Sequence, residues 1–195
     1  EVLERRDGGP VAFGTLPHGV TVSHISSLVG ADGRVREISL KLTHPPGGIF
    51  GLGERYNALN QAGNRVDQFV YNQYKNQGLR TYIPMPVIYT DQGFGLHVAT
   101  DSYSWFDFRE PGVTLLGVEA GSLELQFLTG TVNQQVGQFL GLTGEPVNVP
   151  LWALGPWMSS NNWDSEAEVR KQVALTEEHG IPATVLVIEA WSDEA

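Results

Sequence analysis

The 195-residue chain carries 12 Lys+Arg against 22 Asp+Glu, a formal net charge of −10, with 41% hydrophobic and 17% charged residues. That apolar content excludes a disordered chain, and the acidic balance without any basic stripe excludes a nucleic-acid or anionic-membrane footprint. Cysteine is absent, which removes disulfides and thiolate metal sites from consideration, and no run reaches the roughly 18 apolar residues of a membrane span.

The 23 Gly and 11 Pro punctuate the first two-thirds of the sequence in clusters such as Pro17-His18-Gly19 and Pro45-Pro46-Gly47-Gly48. Turns so closely spaced leave room only for short strands. Residues 20–25, 35–42, 85–90, 95–100 and 123–128 alternate apolar and polar side chains, as half-buried strands do. Asp91-Gln92-Gly93-Phe94-Gly95 marks a tight hairpin turn between two of them. Strands without intervening helices predict a β-sandwich over residues 1–130.

Within a linker at 131–150, Val132, Val136, Phe139 and Leu140 form one stripe of a short helix that Gly141 and Leu142-Thr143-Gly144-Glu145-Pro146 are expected to end. Residues 151–195 then change texture. The apolar run 151–158 reads as a strand covered on both faces. Ser165 and Glu168 have capping-box spacing, Val169 and Val173 share a helix face, and His179, Gly180 and Pro182 stop that helix. A second apolar run follows at 183–190, completing a right-handed βαβ unit. One helix cannot cover both faces of two parallel strands, so further strands are expected to be missing.

Parallel strands gather functional groups at their carboxyl ends. Trp157, Asn161 and Asn162 follow the first strand, and Glu189 and Trp191 the second. Such a mixture suits a sugar, whose C–H faces stack on aromatic rings while its hydroxyls seek planar polar partners. Asp164 reads as a helix-start residue. A second polar cluster, residues 51–61 and 71–82, reads as a long functional loop. The five histidines are too scattered for a zinc site, and no metal or cofactor is implied.

Taken in order, Phe50-Gly51-Leu52-Gly53-Glu54-Arg55-Tyr56-Asn57, residues 82–87, 91–98, 142–146, 150–155, 163–169 and 181–189 resemble the successive signatures of glycoside hydrolase family 31, the α-glucosidase and α-xylosidase family. The resemblance implies a mainly β chain: a galactose-mutarotase-like β-sandwich followed by the first βαβ unit of a truncated (β/α)8 TIM barrel. It implies retaining hydrolysis of α-linked oligosaccharides or glycosides by two aspartates, which in such enzymes stand roughly 5–5.5 Å apart. No position here corresponds to either one, so the segment alone is expected to be inactive. Glu189 matches a sugar-contacting acid where Asp is usual, and Trp191 and either Asn161 or Asn162 match pocket positions. Asn72 and Gln73 align with a sandwich-loop acid that contacts the innermost sugar. The remainder of the barrel would pack on residues 151–195. The alternative is a stand-alone carbohydrate-binding module.

Overall fold

The computed structural model describes residues 3–7, 16–73, 75–160 and 162–188. Period-two alternation produces ten antiparallel strands: β1 (Leu3–Asp7), β2 (Thr21–Gly30), β3 (Val35–Thr43), β4 (Ile49–Gly51), β5 (Arg65–Gln68), β6 (Val87–Thr90), β7 (Phe94–Val98), β8 (Ser104–Asp107), β9 (Val113–Val118) and β10 (Leu125–Thr129). They form a six-stranded sheet in the order β1-β2-β3-β9-β8-β5 and a four-stranded sheet in the order β10-β7-β6-β4. Because side chains alternate faces, Leu40, Leu42, Val66, Phe106, Leu116 and Val118 of the larger sheet meet Ile49, Ile88, Leu96 and Val98 of the smaller in one core. The ten strands thus make a mainly β sandwich of two antiparallel sheets. β5 is not apparent in the sequence, because it lies between the two polar stretches that read as loop and only Val66 and Gln68 turn inward.

A helix, α1 (Val132–Thr143), covers the outer face of the smaller sheet, where Phe139 packs with Val87 and Leu128. Its amino end carries a complete capping box: the Thr131 side chain accepts from the Gln134 amide, and the Gln134 side chain accepts from the Thr131 N–H at 2.8 Å. The helix runs through Gly141 to Thr143, since a single helical glycine costs only about 1 kcal/mol.

Gln135 is fully buried, and its amide replaces a missing strand neighbour. It accepts from Thr90 N–H at 3.0 Å and donates to Thr90 O at 2.9 Å and Gly130 O at 2.8 Å. One turn on, Gln138 makes the same two-way pair with Thr129, at 3.0 and 2.8 Å. Gly95 permits this approach, because a Cβ there would lie 2.9 Å from Gln135 Oε1.

The chain divides into two compact units, Glu1–Gly144 and Glu145–Ala195. In the second, residues 151–158 do not form the single strand expected of them. Leu151–Leu154 is a 3₁₀ turn and only Trp157–Ser159 is a strand, β11. Pro150 sets the turn at φ −65, and Pro156 has no N–H to extend a ladder. α2 (Glu166–Glu178) follows, then β12 (Val185–Val187), parallel to β11. Ser165 caps α2 by accepting from Glu168 N–H at 3.3 Å. The return half of the expected box is replaced, because the Glu168 carboxylate bonds Gln172 and Lys171 instead. Among the described residues, no helix is long and apolar enough to cross a membrane.

His44 is buried beside Phe94, with Nδ1 donating to Pro45 O at 2.9 Å and Nε2 left to accept from the Thr114 hydroxyl at 3.0 Å. Burial holds its pKa below 6.5, partly countered by the Pro45 bond. The Arg109 guanidinium holds the Asp107 carboxyl below 3.8.

Two measurements check these packing assignments. Gln135→Leu strands the Thr90 and Gly130 peptide groups, so urea unfolding should show a loss of about 2–3 kcal/mol. As pH falls, the unfolded chain takes up the His44 proton first. The stability from keeping His44 neutral is complete above 6.5 and is lost as pH drops toward the folded value. Asp107 contributes in the same sense, lost as pH drops below 3.8. Urea midpoints measured from pH 8 to 4 should decline, and His44→Gln should remove the limb that starts near 6.5.

Candidate functional site

The polar cluster of the first unit is organised by the turn after β4. Gly51, Leu52 and Gly53 all have positive φ, at 101, 66 and 83°. Leu52 tolerates this because its fully buried side chain returns about 2 kcal/mol of burial against a local cost of about 1–2 kcal/mol. Gly53 is obligatory, since a Cβ would sit 1.9 Å from Ile83 O. The turn runs beside residues 81–87, through Leu52 N–H to Val87 O at 2.8 Å and Glu54 N–H to Ile83 O at 3.1 Å. The Thr81 hydroxyl donates to Glu54 O.

This delivers Arg55 to the base of the loop between β5 and β6. Its guanidinium donates to Leu52 O at 2.8 Å, Leu79 O at 2.7 Å and Asp67 O at 2.9 Å. The Tyr71 N–H donates to Thr81 O at 2.9 Å, closing the loop. Beyond that closure, Tyr71 donates its hydroxyl to Asp67 Oδ2 at 2.7 Å, which holds the phenol above the ordinary tyrosine range. The Arg80 guanidinium lies 4.8 Å over the Tyr71 ring and donates to Gln73 Oε1 at 2.9 Å.

Asn72 and Gln73 therefore differ in role. The Gln73 amide also donates to Lys75 O and Asn76 O at 2.6 and 3.1 Å, and its backbone carbonyl accepts from Gln77 at 3.0 Å. Gln73 is an internal strut. The Asn72 side chain is exposed and has no hydrogen-bond partner among the described residues. A free amide with one acceptor and two donors suits a pair of vicinal hydroxyls, and it offers binding rather than bond-breaking. These neighbours part through contacts that no sequence spacing shows, to Lys75 O and Asn76 O and to Arg80 seven residues away.

In the second unit the parallel register pairs Trp157 with Val185 and Ser159 with Val187, setting the carboxyl ends of β11 and β12 side by side. Ser160 is buried and its N–H donates to Val187 O at 3.0 Å. Trp157 is 56% exposed, with its indole N–H held by Ala153 O at 3.0 Å. Asn162 is exposed. Asn161, Glu189 and Trp191, named from the sequence, lie outside the described residues. Among the described residues, no group of three or more His, Asp or Glu side chains could hold a metal ion.

Residues 3–107 match the family model for the glycosyl hydrolase 31 N-terminal galactose mutarotase-like domain. An isomaltosyltransferase from Sporosarcina globispora is 37% identical over 154 residues, covering 75% of this chain and 14% of that protein. A 1,3-alpha-isomaltosidase from Kribbella flavida is 36% identical over 155 residues, covering 75% of this chain and 21% of that protein. Among solved structures, the cycloalternan-degrading enzyme from Trueperella pyogenes in complex with isomaltose superposes with a TM-score of 0.77 at 32% identity, covering 87% of this chain and 26% of that one. The chain thus spans well under a third of the length of each of these relatives.

The difference between Asn72 and Gln73 can be read by limited trypsin digestion at Lys75. Gln73→Ala should speed that cleavage about tenfold by releasing the loop, while Asn72→Ala should leave it unchanged.

Proposed function

The chain belongs to glycosyl hydrolase family 31, and on that premise we propose that it is the amino-terminal portion of a retaining enzyme that cleaves α-linked glucose or xylose oligosaccharides. In this reading residues 1–130 form the sandwich domain, 131–150 connect it onward, and 151–195 open the catalytic barrel. The observation that carries it is the surface of the second unit. α2 has no buried residue, and Leu151, Leu154 and Ile188 are 85, 73 and 63% exposed. A parallel strand pair flanked by apolar side chains as exposed as these suits the opening of a larger barrel, since parallel strands are ordinarily covered on both sides. That the relatives are several times longer supports the same reading.

The work of the enzyme divides accordingly. A retaining glycosidase needs a nucleophilic carboxylate and a second carboxyl that first donates and then accepts a proton. Neither catalytic aspartate of the family has a counterpart in these residues. What this chain contributes is substrate contact: Asn72 from the sandwich loop, with Gln73 bracing it, and Trp157, Asn161, Asn162, Glu189 and Trp191 after the two barrel strands. The relatives act on or bind isomaltose-type sugars by name, which makes isomaltose the probe of choice.

Two assays test this. The purified 195-residue chain should release no p-nitrophenol from p-nitrophenyl α-glucoside above the buffer rate; enzymatic turnover would overturn the division of labour. Isomaltose added at millimolar concentration should shift the Asn72 side-chain amide signals in a nitrogen-15 NMR spectrum, and the response elsewhere in the loop should disappear in Asn72→Ala. A loop that ignores the sugar would contradict the assigned contact.

A further inference from the structure

We propose that Arg55 is the positioning residue that keeps the Asn72 loop in its sugar-binding shape. The inference rests on the reading of that loop as a sugar contact, and adds to it the group that sets the loop's geometry. Arg55 lies on the turn after β4, outside the loop, and reaches three segments at once. Its Nε, Nη1 and Nη2 donate to the carbonyls of Leu52, Leu79 and Asp67, the last two 24 and 12 residues away in sequence. Leu79 and Asp67 bracket the loop, so one side chain joins both of its legs to the turn that Gly51, Leu52 and Gly53 create.

Only a guanidinium fits this role. Its donors diverge from a rigid planar fork, whereas an ammonium presents all its donors from one atom and cannot reach three carbonyls lying in three directions. The group is also partly buried, and the nearby Asp67 carboxylate favours the charge that desolvation opposes. Above the clasp the loop sustains itself through Tyr71 to Asp67, Arg80 over Tyr71, and Arg80 to Gln73. Those bonds shape the tip, but all of them presuppose that the Asp67 and Leu79 legs stand at a fixed separation. Arg55 has no side-chain contact with Asn72 and acts on the sugar only through the backbone.

The test compares wild type, Arg55→Met and Arg55→Lys in the 195-residue chain by amide hydrogen exchange and isomaltose titration. In Arg55→Met, exchange at the Tyr71 and Arg80 amides should accelerate about tenfold or more, while Leu42 and Leu116 in the core keep their protection. Isomaltose affinity, read at the Asn72 amide, should fall about tenfold, and Arg55→Lys should recover part of both effects. Unchanged loop exchange in the Met variant overturns the proposal. So does faster exchange with undiminished isomaltose affinity, which would leave Arg55 a purely structural clasp. If wild type does not respond to isomaltose, the sugar reading fails and the positioning role with it, while the exchange data still report on the clasp separately. Should the Met variant fail to fold, the Lys variant supplies the same readings.

Discussion

A peptide group taken out of water must be paired, and where the chain leaves its sheets no strand neighbour is available to do it. In this protein side-chain amides and one guanidinium take that place. Gln135 and Gln138 pair with Thr90 and Thr129 as an adjacent strand would. Asn60 Oδ1 accepts from Ile49 N–H and Ala62 N–H, both at 3.0 Å. Gln61, fully buried, exchanges amide bonds with Asn57 and donates to Ala58 O. Arg55 serves three carbonyls. Remove these surrogates and the irregular segments lose their shape, although the sandwich core of Leu42, Phe106 and Leu116 does not depend on them.

This division explains how a small sandwich orders a long polar loop. The apolar core between the sheets supplies stability, and the polar side chains use that rigid frame to order a connection that has little apolar surface of its own to bury. The Asn72 side-chain amide stays outside that internal network. An acidic chain without a basic face is no handicap for the sugar proposed as its ligand, because a neutral sugar is recognised by hydroxyl geometry and ring stacking rather than by net charge. The second unit shows the opposite balance: one capped helix and two short parallel strands, with its apolar side chains largely turned outward.

Much of the fold was legible because alternation is a local signal. β2, β3, the β6–β7 hairpin, β10 and both helices fall where the pattern of apolar residues puts them. The misreadings share a cause. β5 has two inward residues in four, too few to stand out from a polar stretch, and it is a strand because β8 pairs with it. Residues 151–154 are apolar enough for a strand, but the prolines on either side favour a turn. Of two capping signatures, Ser165–Glu168 is half formed because Glu168 turns to Gln172, while Thr131–Gln134 is complete. For the site, the motif around Gly51–Arg55 was visible as a family resemblance, yet the reach of Arg55 to Leu79 and Asp67 is a tertiary fact that no spacing encodes.

The central claim is that the first unit presents an ordered loop to an α-linked sugar. Photo-crosslinking tests it most directly: a diazirine-bearing α-glucoside is irradiated with the 195-residue chain, and the tryptic peptides are mapped by mass spectrometry. The account predicts label on the peptides that end at Lys75 or Arg80, competed away by isomaltose. Competable label confined to other parts of the sandwich, with none on those two peptides, would contradict it.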